Sequence, residues 1–193
     1  IGEHYQGKMD IFYFFFHLAL DMAREEGLIS FITTNYFLTA TGGKKLRTDL
    51  KNRAEVLELI DFGELKIFAD AQGQHNLITV LRKGSDSKQV AKTLVSHRNG
   101  VASPELLDSM VNKKDNQSDY YLFEQKSLYD GPDNYIRLVG VGSANSSPLQ
   151  KLLDKIKSQS IELGEICNIN QGIVTGADKV SPKHIDKFNL DQQ

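Results

Sequence analysis

The sequence predicts an α/β fold, and two observations carry that prediction. Between residues 10 and 83, segments of helical and strand-like pattern follow one another as helix, strand, helix, strand, loop, strand. This is the order in which crossover helices cover a largely parallel sheet. The composition is that of a globular chain: 193 residues, 40% hydrophobic and 25% charged, with 23 Lys+Arg against 25 Asp+Glu for a net charge of -2. A chain of this length makes one substantial domain, or one domain and part of another, and buries about 70% of the surface that its unfolded form exposes. Disordered, collagen-like and coiled-coil classes are excluded. Bulk charge alone does not drive nucleic-acid binding by such a chain, which leaves room only for local basic patches.

Asp10 and the run IFYFFFHLALDMAREEG predict the first helix, with Asp10 as N-cap and Gly27 at the C-terminal stop. Apolar residues cover most of its circumference in the first half, so it is buried on more than one side. Ile11 to Leu20 is interrupted by His17 and reaches about half the roughly 20 residues of a membrane span. It also lacks the cationic flank and cleavage site of a signal peptide. LISFITT, residues 28 to 34, is short, apolar and β-branched, as an interior strand requires. NYFLTATGG follows as a loop, and KKLRTDLKNRAE as a helix that is basic on one side. Val56 to Phe62 and Asn76 to Lys83 are the next strands. Because the loop between them, GELKIFADAQGQH, contains no helix, an antiparallel pairing of these two is the alternative to a parallel one.

Beyond Gly84 the pattern continues with a strand over Gln89 to His97, a helix in SPELLDSMVNKK capped by its serine, and strand-like pieces DYYLFEQ and NYIRLV. GVGSANSS, residues 140 to 147, is a small-residue linker and the expected domain boundary. After it PLQKLLDKIKSQ begins a helix with Pro at its first position, and LGEICNINQGIVTGADKV reads as two short strands around a turn. The single cysteine, Cys167, leaves no disulfide framework or Cys-rich zinc site and fits a reducing compartment. It reads as a small buried hydrophobe. A soluble, cytoplasmic chain is expected, and the opening Ile-Gly-Glu-His, without an initiator Met, reads as a cut.

Several motifs fail on inspection. GGKK at 42 to 45 lacks the phosphate-loop pattern, since Leu38 and Lys45 stand where Gly and Ser or Thr are needed. Gly140-Val-Gly142 has Asn145 in place of the third dinucleotide glycine. No two of His4, His17, His75, His97 and His184 stand at metal-ligand spacing, and there is no G-x-S-x-G elbow.

From Gly7 to Gly84, GKMDIFYFFFHLALDMAREEGLISFITTNYFL, then KKLRTDL, then LELIDFGELKIFADAQGQHNLITVLRKG follow one another in an order and spacing that carry a family likeness. This pattern resembles the second half of the catalytic domain of gamma-class (TaqI-like) adenine-N6 DNA methyltransferases, above all those of type IIG restriction-modification enzymes. LGEICNINQGIVTGADKV resembles the opening of the group's target-recognition domain. The resemblance implies the C-terminal half of a Rossmann-like, S-adenosylmethionine-dependent methyltransferase domain over residues 1–100, a connector over 101–146, and the start of an α+β specificity domain over 147–193. It implies double-stranded DNA with a flipped adenine as partner, and no membrane. The N6 amine of adenine is a weak nucleophile because its lone pair is delocalised into the ring. Such an enzyme flips the base out of the duplex and holds the amine by hydrogen bonds, in line with the sulfonium methyl. In the family those acceptors lie in an Asn-Pro-Pro-Tyr-type motif shortly before the first helix. This sequence contains neither that motif nor the family's glycine-containing cofactor loop. No catalytic residue is therefore assigned, and the 193 residues alone are expected neither to methylate DNA nor to bind the cofactor well.

The resemblance puts Phe68 on the aromatic that packs against the flipped adenine, where a ring contributes about 1 to 3 kcal/mol. A loop Phe anchored on the sheet is the plainer reading. Phe12 and Phe15 fall where the family lines the adenine pocket of the cofactor, and Asp10 lies nearby. On spacing alone a Phe stripe is core far more often than a cofactor wall, and capping accounts equally well for Asp10. Lys44, Lys45, Arg47, Lys51 and Arg53 against Asp49 make a basic run that suits phosphates, but a solvated face is its commoner meaning. The family places this helix away from the DNA cleft. In the turn QGIVTGADK, Gly172 and Gly176 permit tight geometry, and Thr175 and Lys179 are the DNA-binding candidates. A non-catalytic DNA-binding or specificity module on an α/β scaffold is the alternative reading. An exposed apolar patch on the truncated sheet is expected in either case.

Overall fold

The computed structural model describes residues 2–68, 75–84, 89–140, 155–156, 158–161 and 163–169. The chain divides into two compact units, Ile1–Lys151 and Leu152–Gln193.

In the first unit, α1 (Phe12–Met22) buries Tyr13, Phe16, His17 and Leu20, the i, i+3, i+4, i+7 stripe of an amphipathic helix. Ile11 is its N-cap, already in helical conformation and without a side-chain cap. The predicted cap at Asp10 is thus corrected: the backbone carbonyl of Asp10, not its carboxylate, accepts from the Tyr13 amide at 3.2 Å. The helix stops at Met22 because Ala23 is extended, and Gly27 closes the following turn onto the Arg24 carbonyl at 2.9 Å. Strand β1 (Leu28–Thr34) packs Phe31 on Phe16, ring centroids 4.6 Å apart. Two 3-10 turns, Asn35–Leu38 and Thr41–Gly43, lead into α2 (Lys44–Arg53).

Strands β2 (Ala54–Asp61), β3 (Leu65–Lys66), β4 (Asn76–Lys83), β5 (Val90–Ser96) and β6 (Gly100–Val101) follow. Helix α3 (Pro104–Val111) is capped as the sequence predicts, the Leu106 amide donating to Ser103 Oγ at 3.2 Å. After it come β7 (Ser118–Glu124), β8 (Tyr129–Asp130) and β9 (Tyr135–Ile136). The strand expected in NYIRLV shrinks to the β9 pair with β8.

The main sheet has the order β1-β4-β2-β5-β7. Only β2 and β5 are parallel neighbours; β1–β4, β4–β2 and β5–β7 are antiparallel. The expected largely parallel sheet is therefore corrected to a mostly antiparallel one. Among the described residues the segment between β2 and β4 holds no crossover helix, and β4 returns antiparallel and inserts between β1 and β2. Those two run parallel to each other, joined through α2. The segment expected as a connector supplies β7, the far edge strand.

One face of the sheet carries the larger core, where Tyr13, Phe16 and Leu20 of α1 and Leu46 and Leu50 of α2 meet Leu59, Leu77, Leu81 and Phe123. The other face is covered by α3, through Met110, Leu106 and Leu107 over Ile60, Phe62, Leu65 and Leu94. On that second face the β1 edge stays open, with Leu28 and Ile32 exposed.

In the second unit, Leu163–Ile166 is a short helix where a strand is expected. Local bonding decides it: the Cys167 amide and thiol both reach the Leu163 carbonyl, at 3.0 and 3.4 Å. Cys167 is exposed, which corrects its reading as a buried hydrophobe. Thr175 and Lys179, with Gly172 and Gly176, lie outside the described residues, as does the linker from residue 141 on. Among the described residues no helix is long and apolar enough to cross a membrane.

Candidate functional site

In an open α/β sheet ligands gather outside the carboxyl ends of the parallel strands. Here β1 and β2 both end on one rim, and the chain has tied that rim together. The Asn35 amide donates to the His75 carbonyl at 2.9 Å. Asn35 Nδ2 lies 3.3 Å from both carboxylate oxygens of Asp61, the buried last residue of β2. Asp61 Oδ1 also accepts from the Gly63 amide at 3.2 Å. Gly63 has φ +53°, which an L side chain adopts at a cost, so glycine lets the chain turn here. The Phe62 amide donates to the Asn76 carbonyl at 3.0 Å, fixing the loop after β2 against the start of β4. Asn35 and Asp61 satisfy each other and serve as a strut.

Two rings in the segments that follow these strands are exposed. Phe68, two residues beyond β3, is 48% exposed, and Tyr36 is 51% exposed with an edge contact to His75 at 6.4 Å. An exposed ring offers a π-face to a planar, aromatic ligand such as a nucleobase. Phe68 does not anchor its loop by burial; Ile67 beside it joins the smaller core instead.

The other predicted positions lie on or before α1. Phe12 is half-buried and gives its edges to Tyr13, Phe16 and Phe37, with centroids 4.7, 6.3 and 6.3 Å away. Phe15 points away from this cluster and is 53% exposed, and Asp10 is exposed. Asp10 still acts electrostatically: burial, then the Asp10 charge, raises the Tyr13 phenol above its ordinary pKa against the opposing pull of Arg47.

The basic run on α2 is largely engaged within the protein. Arg47 is fully buried and donates to the carbonyls of Phe37, Ala40 and Asp133 at 2.7, 2.8 and 3.0 Å, with its guanidinium 4.8 Å from the Tyr135 ring centroid. Lys44 pairs with Asp133 at 2.5 Å, and Lys51 donates to Asn134 at 2.8 Å. Lys45 donates to the carbonyls of Glu3 and Tyr5, both at 2.8 Å, and Arg53 binds Asp21 and Asp49 at 2.6 and 3.2 Å. Helix α2 is a hub of tertiary contacts. Tyr36 and Asn35 escaped sequence reasoning because TTNY carries no motif; only their place at the end of a parallel strand marks them.

Residues 1–68 match the Eco57I restriction-modification methylase family. That match runs from the N-terminal segment through α1, β1, α2 and β2 to Phe68. The type II methyltransferase M.BanIII of Aneurinibacillus aneurinilyticus is 30% identical over 66 residues, 34% of this chain and 11% of the relative. The chain thus spans about a tenth of the length of that curated relative. Among solved structures, the type IIG restriction endonuclease BpuSI aligns over 63% of this chain and 15% of its own, at 17% identity and a TM-score of 0.48. A modification subunit of a putative type I restriction enzyme from Vibrio vulnificus YJ016 aligns over 72% and 33%, at 12% identity and 0.48. A DrdV–DNA complex aligns over 76% and 15%, at 12% identity and 0.42.

Proposed function

We propose that these residues belong to a site-specific DNA methyltransferase of a restriction-modification system, one that methylates adenine at N6 with S-adenosylmethionine as donor. Residues 1–100 form the C-terminal half of its Rossmann-like catalytic domain, 101–146 a connector, and 147–193 the start of its specificity domain, with Thr175 and Lys179 toward DNA. The observation that carries the reading is the match of residues 1–68 to a restriction-modification methylase family, a segment that ends on the exposed ring of Phe68. The β1–α2–β2 unit supports the Rossmann-like assignment, because two parallel strands joined through a helix are its building block.

In this reading Phe68 stacks on the flipped adenine, and the Asn35–Asp61 strut holds the loop that presents it. Phe15 and Asp10 are assigned to the cofactor in this reading, each being exposed, one a ring on α1 and the other a carboxylate just before it. Phe12 would line the cofactor's adenine pocket, its ring held in the aromatic cluster. The cofactor, when bound, supplies an electrophilic methyl. Cofactor affinity of these 193 residues alone is weak, because they contain neither the Asn-Pro-Pro-Tyr-type motif nor the glycine-containing loop.

The test is methylation of DNA by the full-length protein with labelled S-adenosylmethionine, followed by nucleoside analysis. N6-methyladenine is the expected product, and Phe68→Ala lowers the rate about 10- to 100-fold, the equivalent of about 1 to 3 kcal/mol of stacking. Methylation of cytosine instead, or an unchanged rate in the variant, would remove the adenine reading or the stacking role respectively.

A further inference from the structure

A second polar cluster lies on the α1–α2 face and takes no part in the reading above. His17 is 2% exposed, and its Nδ1 stands 2.6 Å from Asp49 Oδ2, joining α1 to α2. Asp49 is in turn gripped by Arg53, four residues on. With Nδ1 turned to the carboxylate, the ring directs Nε2 the other way. Nε2 is shut off from solvent and has no hydrogen-bonding partner among the described residues, a costly state for a buried polar atom.

The His4 ring stacks on His17 at a centroid distance of 3.9 Å. One ligand-capable atom from each of His4, His17 and Asp49 lies within 4.8 Å of the others. All three line an open pocket of about 600 Å³, together with Glu3, Thr48 and Asn52 among others. The segment that carries His4 is fastened in place: Lys45 Nζ holds the Glu3 and Tyr5 carbonyls, and Gln6 reaches the Lys45 amide at 3.1 Å.

We propose that this cluster is a binding site for a divalent transition-metal ion of the zinc class. His17 Nε2 and a nitrogen of His4 are the ligands, Asp49 is the carboxylate that fixes the His17 tautomer, and water from the pocket completes the shell. Imidazole nitrogens suit zinc, nickel and copper, and a metal-bound histidine characteristically donates its other N–H to a carboxylate. Ligand atoms about 2.0 to 2.1 Å from a tetrahedral ion stand about 3.4 Å apart and an imidazole binds in its own ring plane, so the His4 ring rotates out of its stack on His17 to bring a nitrogen to the ion. The bound ion would staple the segment before α1 to both helices, and it engages the ring nitrogen of His17 that has no hydrogen-bonding partner among the described residues.

The experiment is titration of the 193-residue chain with ZnCl₂ by calorimetry, in a Cys167→Ser background that removes the exposed thiol. One site of about micromolar affinity is expected. His4→Ala weakens it more than about tenfold while leaving the metal-free melting temperature unchanged. A titration of the unsubstituted chain followed by NMR of the histidine rings reads the same site: Zn²⁺ shifts the His4 and His17 signals before those of His75 and His97. Absence of binding, weakening by less than about tenfold in His4→Ala, or prior perturbation of His75 or His97 overturns the proposal.

Discussion

Arg47 shows how one residue can change meaning between sequence and structure. In the sequence it belongs to a basic run, yet its side chain is buried and distributes its donors over three carbonyls from two separate loops. Burial lowers its pKa below the ordinary value, partly offset by Tyr135 and Asp133. Arg47→Met keeps much of the volume but strands those carbonyls. The expected loss is about 2 to 4 kcal/mol, read as a lower midpoint in urea denaturation. Asp115 has a carboxyl held well below its ordinary range. The hydrogen bond from Arg98 holds its carboxyl down to about 2 against the cost of burial, with further help from Ser118 Oγ at 2.6 Å. A carboxyl depressed in the folded state adds stability above its unfolded pKa near 3.8, and that stability disappears as pH falls toward 2. Asp115→Asn therefore flattens the loss of stability between about pH 5 and pH 2, while a slope as steep as that of the parent would show the group is not linked to unfolding.

At the scale of elements, the sequence shows strands better than it shows their neighbours. Leu28–Thr34 and Asn76–Lys83 stand where the apolar, β-branched runs place them, and Ser103 caps its helix. Direction was not legible, because nothing in NLITVLRK distinguishes a strand that returns from one that crosses over; only the helix-free loop before it hinted at the answer. Asp10 misled because a carboxylate before an apolar run has the look of a cap, whereas the backbone turn puts its carbonyl there. The His4, His17 and Asp49 cluster had no local signal at all, since three elements far apart in sequence bring it together. The same holds for Gln125, whose side chain completes strand β2. Its amide bonds to the Val56 amide and carbonyl at 3.0 and 2.7 Å, beyond the point where pairing with β5 begins at Glu58. Gln125→Ala leaves both backbone groups short of a partner and costs about 1 to 3 kcal/mol, with faster amide exchange at Val56 as its specific mark.

At the scale of the first unit, β1 and β7 are the two edge strands, each antiparallel to its one neighbour among the described residues, and β1 displays Leu28 and Ile32. An exposed strand with apolar side chains invites edge pairing. The 193-residue chain is expected to self-associate with rising concentration in sedimentation, and Ile32→Lys to suppress that association. A monomer across the concentration range would show that the edge is already blunted.

The insertion of β4 also dictates when this sheet can come into being. Neither β1 nor β2 pairs with the other; on their shared side each finds its ladder only in residues 76–83. A chain emerging from the ribosome therefore carries β1 for about 40 residues, and α2 for about 20, before the strand that joins β1 to β2 begins. Loop closure precedes any return from hydrogen bonding, which makes for slow, late assembly. Until then the apolar strands Leu28–Thr34 and Ala54–Asp61 are open to other chains, and the helices packed on them are the nascent protein's early shelter.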